Sequence, residues 1–237
     1  VTGVELEDGE KVFADETVLN ADFGYAMKNL VPPGVLKRYT PEIVDSKEYS
    51  CSTFMLYLGV DKFYDLPHHT IFFAGDYKKN IEDVFNNKVL SEDISFYVRN
   101  ASINDPTLAP EGHSALYVLV PVPNCTADID WLENTEDFKE RVISAMEKRA
   151  EMSDIREHIK EEVVYTPKTW MDTNIQFGAT FNLAHSLNQM MHLRPRNKFE
   201  DLGNCYLVGG GTHPGSGLPT IFESGRIAAN MISKRHG

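Results

Sequence analysis

The chain begins with a pattern typical of extended structure. Val4 alternates with polar neighbours, Asp8-Gly9 is a strong hairpin signal, and Thr17-Val18-Leu19 resumes the alternation. From 24 to 37 the pattern becomes helical, and it is interrupted at Pro32-Pro33-Gly34. These residues predict two short strands joined by a turn over 1–22, followed by a broken helix.

The middle of the chain predicts a sheet followed by a helix. Residues 53–60 are apolar on both faces, which is typical of a strand buried within a sheet. Further strands are predicted at 70–74, 94–99 and 115–122, with a surface helix or lid over 77–90. Apolar residues at three- and four-residue steps predict helices over 131–161 and 183–193.

The end of the chain has the most distinctive pattern. A short buried strand, Cys205-Tyr206-Leu207-Val208, runs into a segment with five glycines among the nine residues 209–217, and a helix is predicted from Pro219 to Lys234. A glycine loop before a helix N-terminus can accept a phosphate, a carboxylate or the edge of a flavin. The spacing is not GxGxxG, so a tight packing turn is an equal alternative to a ligand loop.

The composition of the chain argues against several classes of function. The net charge of -12 and pI of about 5.1 argue against nucleic acid, which needs clustered Lys and Arg. The three cysteines are far apart and form no CxxC pair, so we expect reduced thiols and no metal site. No window reaches the ~18 uninterrupted apolar residues of a spanning helix. The chain is expected not to cross a membrane, although it can lie on one.

The run from Asn204 to Ser224, NCYLVGGGTHPGSGLPTIFES, resembles the C-terminal signature of bacterial-type phytoene dehydrogenases. The matching positions are Tyr206, Leu207, Gly209, Gly211, Thr212, His213, Pro214, Gly215, Gly217, Leu218 and Ser224. One departure is Gly203-Asn204, where the family pattern has Asn-Gly, and it affects only a turn. Val1 to Asp22 and Gly178 to Pro195 resemble the family's returning hairpin and the stretch leading back to its flavin domain.

The resemblance implies an α/β (α+β) fold in two parts. Residues 1–32 and 200–237 are expected to be C-terminal portions of an FAD/NAD(P)-binding-type flavin domain, and the two ends should pack together. Residues 33–199 are expected to form a substrate-binding domain with a mostly antiparallel sheet and helices. The family's βαβ unit with GxGxxG is absent, so we expect an N-terminal flavin-binding half ahead of Val1.

The resemblance also implies FAD as cofactor and desaturation of a long polyisoprenoid such as phytoene, in carotenoid biosynthesis. The expected cofactor-binding residues are Asn20, Gly210, Gly211, Thr212, Gly217, Leu218 and Pro219. His213 is the expected catalytic residue, either as a proton shuttle or as a brace for the loop. A membrane surface is an expected partner, in a cytoplasmic or peripheral protein, and the fragment alone should bind FAD weakly and be inactive.

Other functions fit parts of the pattern. A carotenoid isomerase, a carotenoid oxygenase or a flavin amine oxidase-like enzyme can use the same scaffold. A lipid-binding module without enzymatic activity is a different class, but it has no need of the glycine loop. His68-His69 lacks a third ligand, so it predicts no metal site. Apolar residues such as Phe54 and Tyr57 are candidates for a substrate tunnel, although an ordinary core explains each of them singly.

Overall fold

The computed structural model describes every residue from Val1 to Gly237. The chain forms two compact units, one combining 1–50 with 174–237 and the other comprising 51–173. The binding domains expected from the sequence divide after 32 and 199. Because those domains are defined by what they bind, their boundaries stay a prediction.

The first unit joins strands from both ends of the chain. Strands β1 (Gly3–Glu5) and β2 (Lys11–Phe13) form the predicted hairpin. Strand β3 (Thr17–Leu19) pairs in parallel with β9 (Cys205–Leu207). The amino group of Val1 also donates to the carbonyl of Gly203, at 2.7 Å. The expected packing of the two ends is therefore confirmed within this unit.

The first helical segment of this unit ends before the predicted break at Pro32-Pro33-Gly34. Helix α1 (Phe23–Tyr25) continues as one π-helical turn over Ala26–Leu30 and stops at Val31. Val31 is extended, as expected for a residue before proline. The other helical elements are α2 (Pro41–Asp45), short 3-10 turns at Gln176–Gly178 and Met191–Leu193, and α7 (Leu218–His236).

The core of the first unit is aromatic. The ring of Phe23 meets Tyr39 edge-on at 5.2 Å, and Tyr39 stacks on Phe199 at 5.8 Å. Val44 and Leu183 are fully buried in the same cluster. Such rings supply large apolar areas, so this cluster ties residues before 50 to residues after 174.

The second unit is a five-stranded antiparallel sheet with helices. Its strands are β4 (Ser52–Val60), β5 (His69–Phe72), β6 (Phe96–Asn100), β7 (Ser114–Val122) and β8 (Ile159–Tyr165). Their order is β5-β6-β7-β4-β8. Its helices are α3 (Tyr77–Glu82), followed by a π turn at Asp83–Asn87, α4 (Trp131–Arg149), α5 (Ile155–His158) and α6 (Pro167–Asp172). The predicted fold class is confirmed.

Helix α4 covers one face of this sheet. Phe138, Val142 and Met146 recur at four-residue steps on α4 and are buried. Phe54 of β4 lies 5.8 Å from the Trp131 ring and 5.0 Å from the Phe138 ring. Burying each such side chain contributes about 1.5–3 kcal/mol. Phe54 is therefore a core residue against α4.

The predicted helix over 131–161 is wrong at its end. Helix α4 stops at Arg149, and residues 159–165 form β8. This strand pairs with β4 at the edge of the sheet, with Val164 opposite Leu56. Residues 160–163 are exposed, so charged side chains are tolerated there, and their density suggested a solvated helix.

The predicted helix over 183–193 is also wrong. The segment is irregular apart from a 3-10 turn at Met191–Leu193. Its carbonyls at Leu183, Ala184 and Gln189 accept hydrogen bonds from the Arg194 side chain. A side chain that takes these acceptors replaces the bonds a helix would make.

No helix in the protein has both the length and the apolar character needed to cross a bilayer. No cluster of three or more His, Cys, Asp or Glu side chains is arranged to hold a metal ion. All three cysteines are free thiols.

Candidate functional site

The glycine loop between β9 and α7 presents an open helix start. Gly217 has a φ of 106°, a conformation that side chains rarely adopt. It precedes α7 and supplies no side-chain cap. Leu218 and Pro219, the first two helical residues, are exposed. Pro219 has no N–H and the Ile221 amide donates to the Gly217 carbonyl, so the first-turn N–H groups of this 19-residue helix left without a partner are those of Leu218 and Thr220.

Gly211 is required by close packing. A Cβ atom built there would lie 2.3 Å from the Cβ of Phe23 and 2.5 Å from Oδ1 of Asn182. Real Cβ atoms do not approach other atoms so closely. Glycine at this position lets the loop lie against α1 and the 179–182 segment.

Thr212 and His213 are held mainly by their backbones. The Thr212 hydroxyl is buried and donates to the carbonyl of Pro195 at 2.5 Å. The His213 amide donates to the same carbonyl at 2.9 Å, and its own carbonyl accepts from Nδ2 of Asn197 at 2.8 Å. The His213 imidazole makes no hydrogen bond or ion pair within the protein. The main chain, not this imidazole, braces the loop.

An open cleft of about 260 Å³ lies beside the loop in the first unit. It brings two of the predicted residues, Asn20 and Gly210, to one wall. The other predicted residues, Gly211, Thr212, His213, Gly217, Leu218 and Pro219, lie outside this lining. The remaining lining residues are Ala21, Asp22, Ile175, Ala179, Thr180, Phe181, Asn182, Gly209, Ser216 and Ile221.

Asp22 is a cleft residue that sequence reasoning used only as part of a motif. Its Oδ1 accepts from the amides of Tyr25 at 2.9 Å and Gln176 at 3.2 Å, and its Oδ2 accepts from Asn182 Nδ2 at 2.6 Å. Burial raises the pKa of this carboxyl, against the opposing effect of the amide donors. Asp22 thus fixes the 176–182 wall to the start of α1.

One polar atom of the cleft wall has no partner. The Thr180 hydroxyl is buried and makes no hydrogen bond within the protein. A buried hydroxyl left unpaired costs about 1–3 kcal/mol. A bound ligand with a polar group would satisfy it. No signal in the sequence marked Thr180.

Arg194 is a second residue that sequence reasoning missed as part of the site. Its guanidinium is 2% exposed. It donates to the carbonyls of Gly210 at 2.6 Å and Thr212 at 3.1 Å, and also to Leu183 at 2.9 Å. Desolvation lowers the pKa of Arg194 to about 10. The pair Arg194-Pro195 within the resembling stretch was the available signal.

The second unit carries a row of aromatic rings on the sheet face opposite α4. Successive ring centroids lie 6.1 Å apart for Tyr97 and Tyr117, 5.4 Å for Tyr117 and Tyr57, and 5.9 Å for Tyr57 and Tyr165. Trp170 extends the row, 4.7 Å from Tyr165. Partial burial raises the pKa values of Tyr57, Tyr97 and Tyr117. This row of half-buried rings therefore extends across four strands.

The fold has a counterpart among solved structures. An oxidoreductase from Methanosarcina mazei superposes with a TM-score of 0.54 and 15% identity, over 93% of this chain and 46% of that one. At this identity the likeness shows the fold alone. The chain thus shares the fold of about half of that protein. It also carries a glycine loop and an uncapped helix start.

Sequence comparison identifies the family, although no family model matches the chain. The 4,4'-diapophytoene desaturase (4,4'-diapolycopene-forming) of Methylomonas sp is 57% identical over 99% of this chain and 46% of that protein. The all-trans-zeta-carotene desaturase of Myxococcus xanthus is 44% identical, over 99% and 45%. The phytoene desaturase (neurosporene-forming) of Rhodobacter capsulatus is 39% identical, over 98% and 45%. The chain belongs to the phytoene and diapophytoene desaturase family, and it spans about half the length of these relatives.

Proposed function

We propose that this chain is part of an FAD-dependent oxidoreductase that introduces double bonds into a long polyisoprenoid in carotenoid biosynthesis. The carrying observation is the 57% identity, over 235 residues, to a diapophytoene desaturase. The glycine loop and the open start of α7 support the cofactor part of the proposal, because a lipid carrier has no need of either.

Three features of the first unit fit a flavin nucleotide. The start of α7 is uncapped, Gly209 and Gly210 leave room beside Asn20, and the Thr180 hydroxyl lacks a partner. When bound, FAD would supply a two-electron acceptor for a hydride from a C–H bond of a saturated carbon. We propose that this chain holds it together with a flavin-binding half outside these residues. The proposed contacts are Asn20, Gly210, Gly211, Thr212, Gly217, Leu218 and Pro219.

The helix start has an electrostatic role in this proposal. The N-terminus of α7 carries the equivalent of about half a positive charge. With FAD bound here, the fixed N–H dipoles at Gly217 and Leu218 would stabilise the negative charge that a reduced flavin carries. Thr212 contributes through its backbone, because its hydroxyl is already bonded to Pro195.

The loss of a hydride from the substrate must be accompanied by the loss of a proton. His213 is the titratable side chain of the loop, and its imidazole has no partner within the protein. We propose that it receives or relays this proton. Its main-chain bonds to Pro195 and Asn197 hold the residue in place while the ring stays free.

The aromatic row offers a surface for an apolar substrate. Tyr97, Tyr117, Tyr57 and Tyr165 lie on four neighbouring strands, which span roughly 15 Å at ordinary strand spacing. An extended polyisoprenoid can lie against several such rings at once. Because that substrate is insoluble in water, we further propose that the protein is cytoplasmic and associates peripherally with a membrane surface.

The test uses the full-length protein. We expect it to purify with FAD and to convert phytoene or diapophytoene in liposomes into products whose absorption shifts to longer wavelength. Products that differ only in double-bond geometry would favour an isomerase, and bound lipid without flavin would favour a non-enzymatic module. The 237-residue chain alone is expected to bind FAD weakly and to be inactive.

A further inference from the structure

Arg194 carries a buried charge without a counter-ion. Its side chain is 2% exposed, and all of its hydrogen bonds go to main-chain carbonyls, with no carboxylate in an ion pair. Carbonyl dipoles offset only part of the cost of removing a cation from water. The buried guanidinium of Arg194 therefore places an uncompensated positive charge in contact with the glycine loop.

The neighbouring groups do not cancel this charge. Burial lowers the pKa values of His185 and Lys47, and the Arg194 cation lowers both further, adding at Lys47 to the effect of Arg38. Asp22 is the carboxylate that lines the cleft beside the loop. It contacts the Asn182 side chain and not the Arg194 guanidinium. Arg196, two residues along, is exposed and paired with Glu200.

Arg194 contacts two carbonyls of the loop, and the shorter hydrogen bond is to Gly210. The Gly210 carbonyl accepts from Arg194 Nη2 at 2.6 Å. Since the peptide to Gly211 is trans, the Gly211 N–H points away from the guanidinium. A hydrogen bond at the carbonyl polarises the peptide and strengthens its N–H as a donor. The Gly211 amide donates to no group within the protein.

We propose that Arg194 is a positioning residue that fixes the glycine loop, and that its uncompensated charge favours the anionic, reduced form of the flavin bound there. This inference rests on the proposed function, because it requires FAD at the loop. It assigns to Arg194 an effect on the reduction potential that a purely structural clamp would not have.

The experiment compares Arg194→Met, Arg194→Lys and the control Arg196→Met in the full-length protein with FAD. The flavin potential and the FAD dissociation constant are measured for each. In Arg194→Met, reduced FAD should lose about tenfold in affinity relative to oxidised FAD, a potential about 30 mV more negative. Arg194→Lys should keep the potential near that of the wild type at any pH where its ammonium is protonated. It should bind FAD more weakly, because an ammonium cannot reach all the carbonyls. Arg196→Met should match the wild type.

If Arg194→Met does not fold, Arg194→Lys alone tests whether the charge at this position sets the flavin potential. Burial lowers the pKa of a lysine at this site, so the flavin potential of the variant should fall below that of the wild type as the pH rises through that lowered pKa. Potentials equal to the wild type at every pH in both variants would overturn the inference. Wild-type protein without FAD would instead overturn the proposed function.

Discussion

The Nε2 atom of His185 accepts a hydrogen bond from the amide of Ser216 at 3.1 Å. The acceptor role requires a neutral ring with its proton on Nδ1. A Cβ at Gly215 would lie 2.5 Å from the same Nε2, so the imidazole lies directly against the loop backbone. Desolvation, assisted by the charge of Arg194, lowers the pKa of His185. The loop is therefore tied to an imidazole that must stay unprotonated.

This relationship predicts a pH effect on stability. The unfolded chain binds a proton at His185 near pH 6.5, and the folded chain only at lower pH. The stabilising contribution is thus present above pH 6.5 and is lost as pH falls from there through the folded-state pKa. His185→Gln should reduce the loss of melting temperature between pH 7.5 and 5. His192→Gln is the control, because the His192 ring accepts no hydrogen bond from the loop. Identical pH slopes in the wild type and both variants would contradict the assignment.

Gly211→Ala should destabilise the protein by about 1–3 kcal/mol, because the added methyl overlaps Phe23 and Asn182. Chemical denaturation of the full-length protein measures the change. Gly203→Ala is the matched control, since a Cβ there meets nothing within 4 Å. Equal stability of the two variants would show that the loop shifts freely.

Gly217→Val should block FAD binding. A β-branched residue is strained at a φ of 106°, and the substitution alters the helix start proposed to face the cofactor. Flavin content after purification and circular dichroism together distinguish a lost site from a lost fold. Full flavin loading with normal turnover would reduce the loop to a packing turn.

His213→Ala separates two roles of the imidazole. If the ring moves a proton, kcat should fall by about 100-fold with little change in FAD affinity. The absence of any protein partner for this ring favours that result over a bracing role, in which affinity would fall along with rate. An unchanged rate and unchanged affinity would remove His213 from the site.

Tyr117→Ala should raise the KM for the polyisoprenoid about fivefold with kcat little changed, since one aromatic contact contributes ~1 kcal/mol. Tyr117→Phe keeps the ring and should behave as the wild type. Steady-state kinetics in liposomes measure both. An unaltered KM in Tyr117→Ala would place the substrate away from the aromatic row.

Local patterns predicted much of the fold. Asp8-Gly9 predicted the hairpin, and the glycine loop predicted the boundary between β9 and α7. The errors lie where distant contacts outweigh local pattern. Edge pairing with β4 makes a strand of 159–165, and Arg194 holds 183–189 as a loop.

The candidate site was predictable only in part, for the same reason. The resembling motif contained Asn20 and Gly210, which the fold brings to one cleft. The roles of Asp22, Thr180 and His185 depend on burial or on contacts between residues 31 or more positions apart. Neither the distant contacts nor the burial can be deduced from a local sequence pattern.

The first unit is closed where the chain leaves it and returns. Tyr49 bridges to Leu183, and the Ser50 amide donates to the Asn182 carbonyl at 2.9 Å, so positions on either side of 51–173 are joined to each other. Residues 51–173 are in this sense an insertion between two joined positions of the first unit. In evolutionary terms, such a closure allows substitutions to accumulate in the tyrosine-bearing sheet without breaking the contacts that hold the glycine loop.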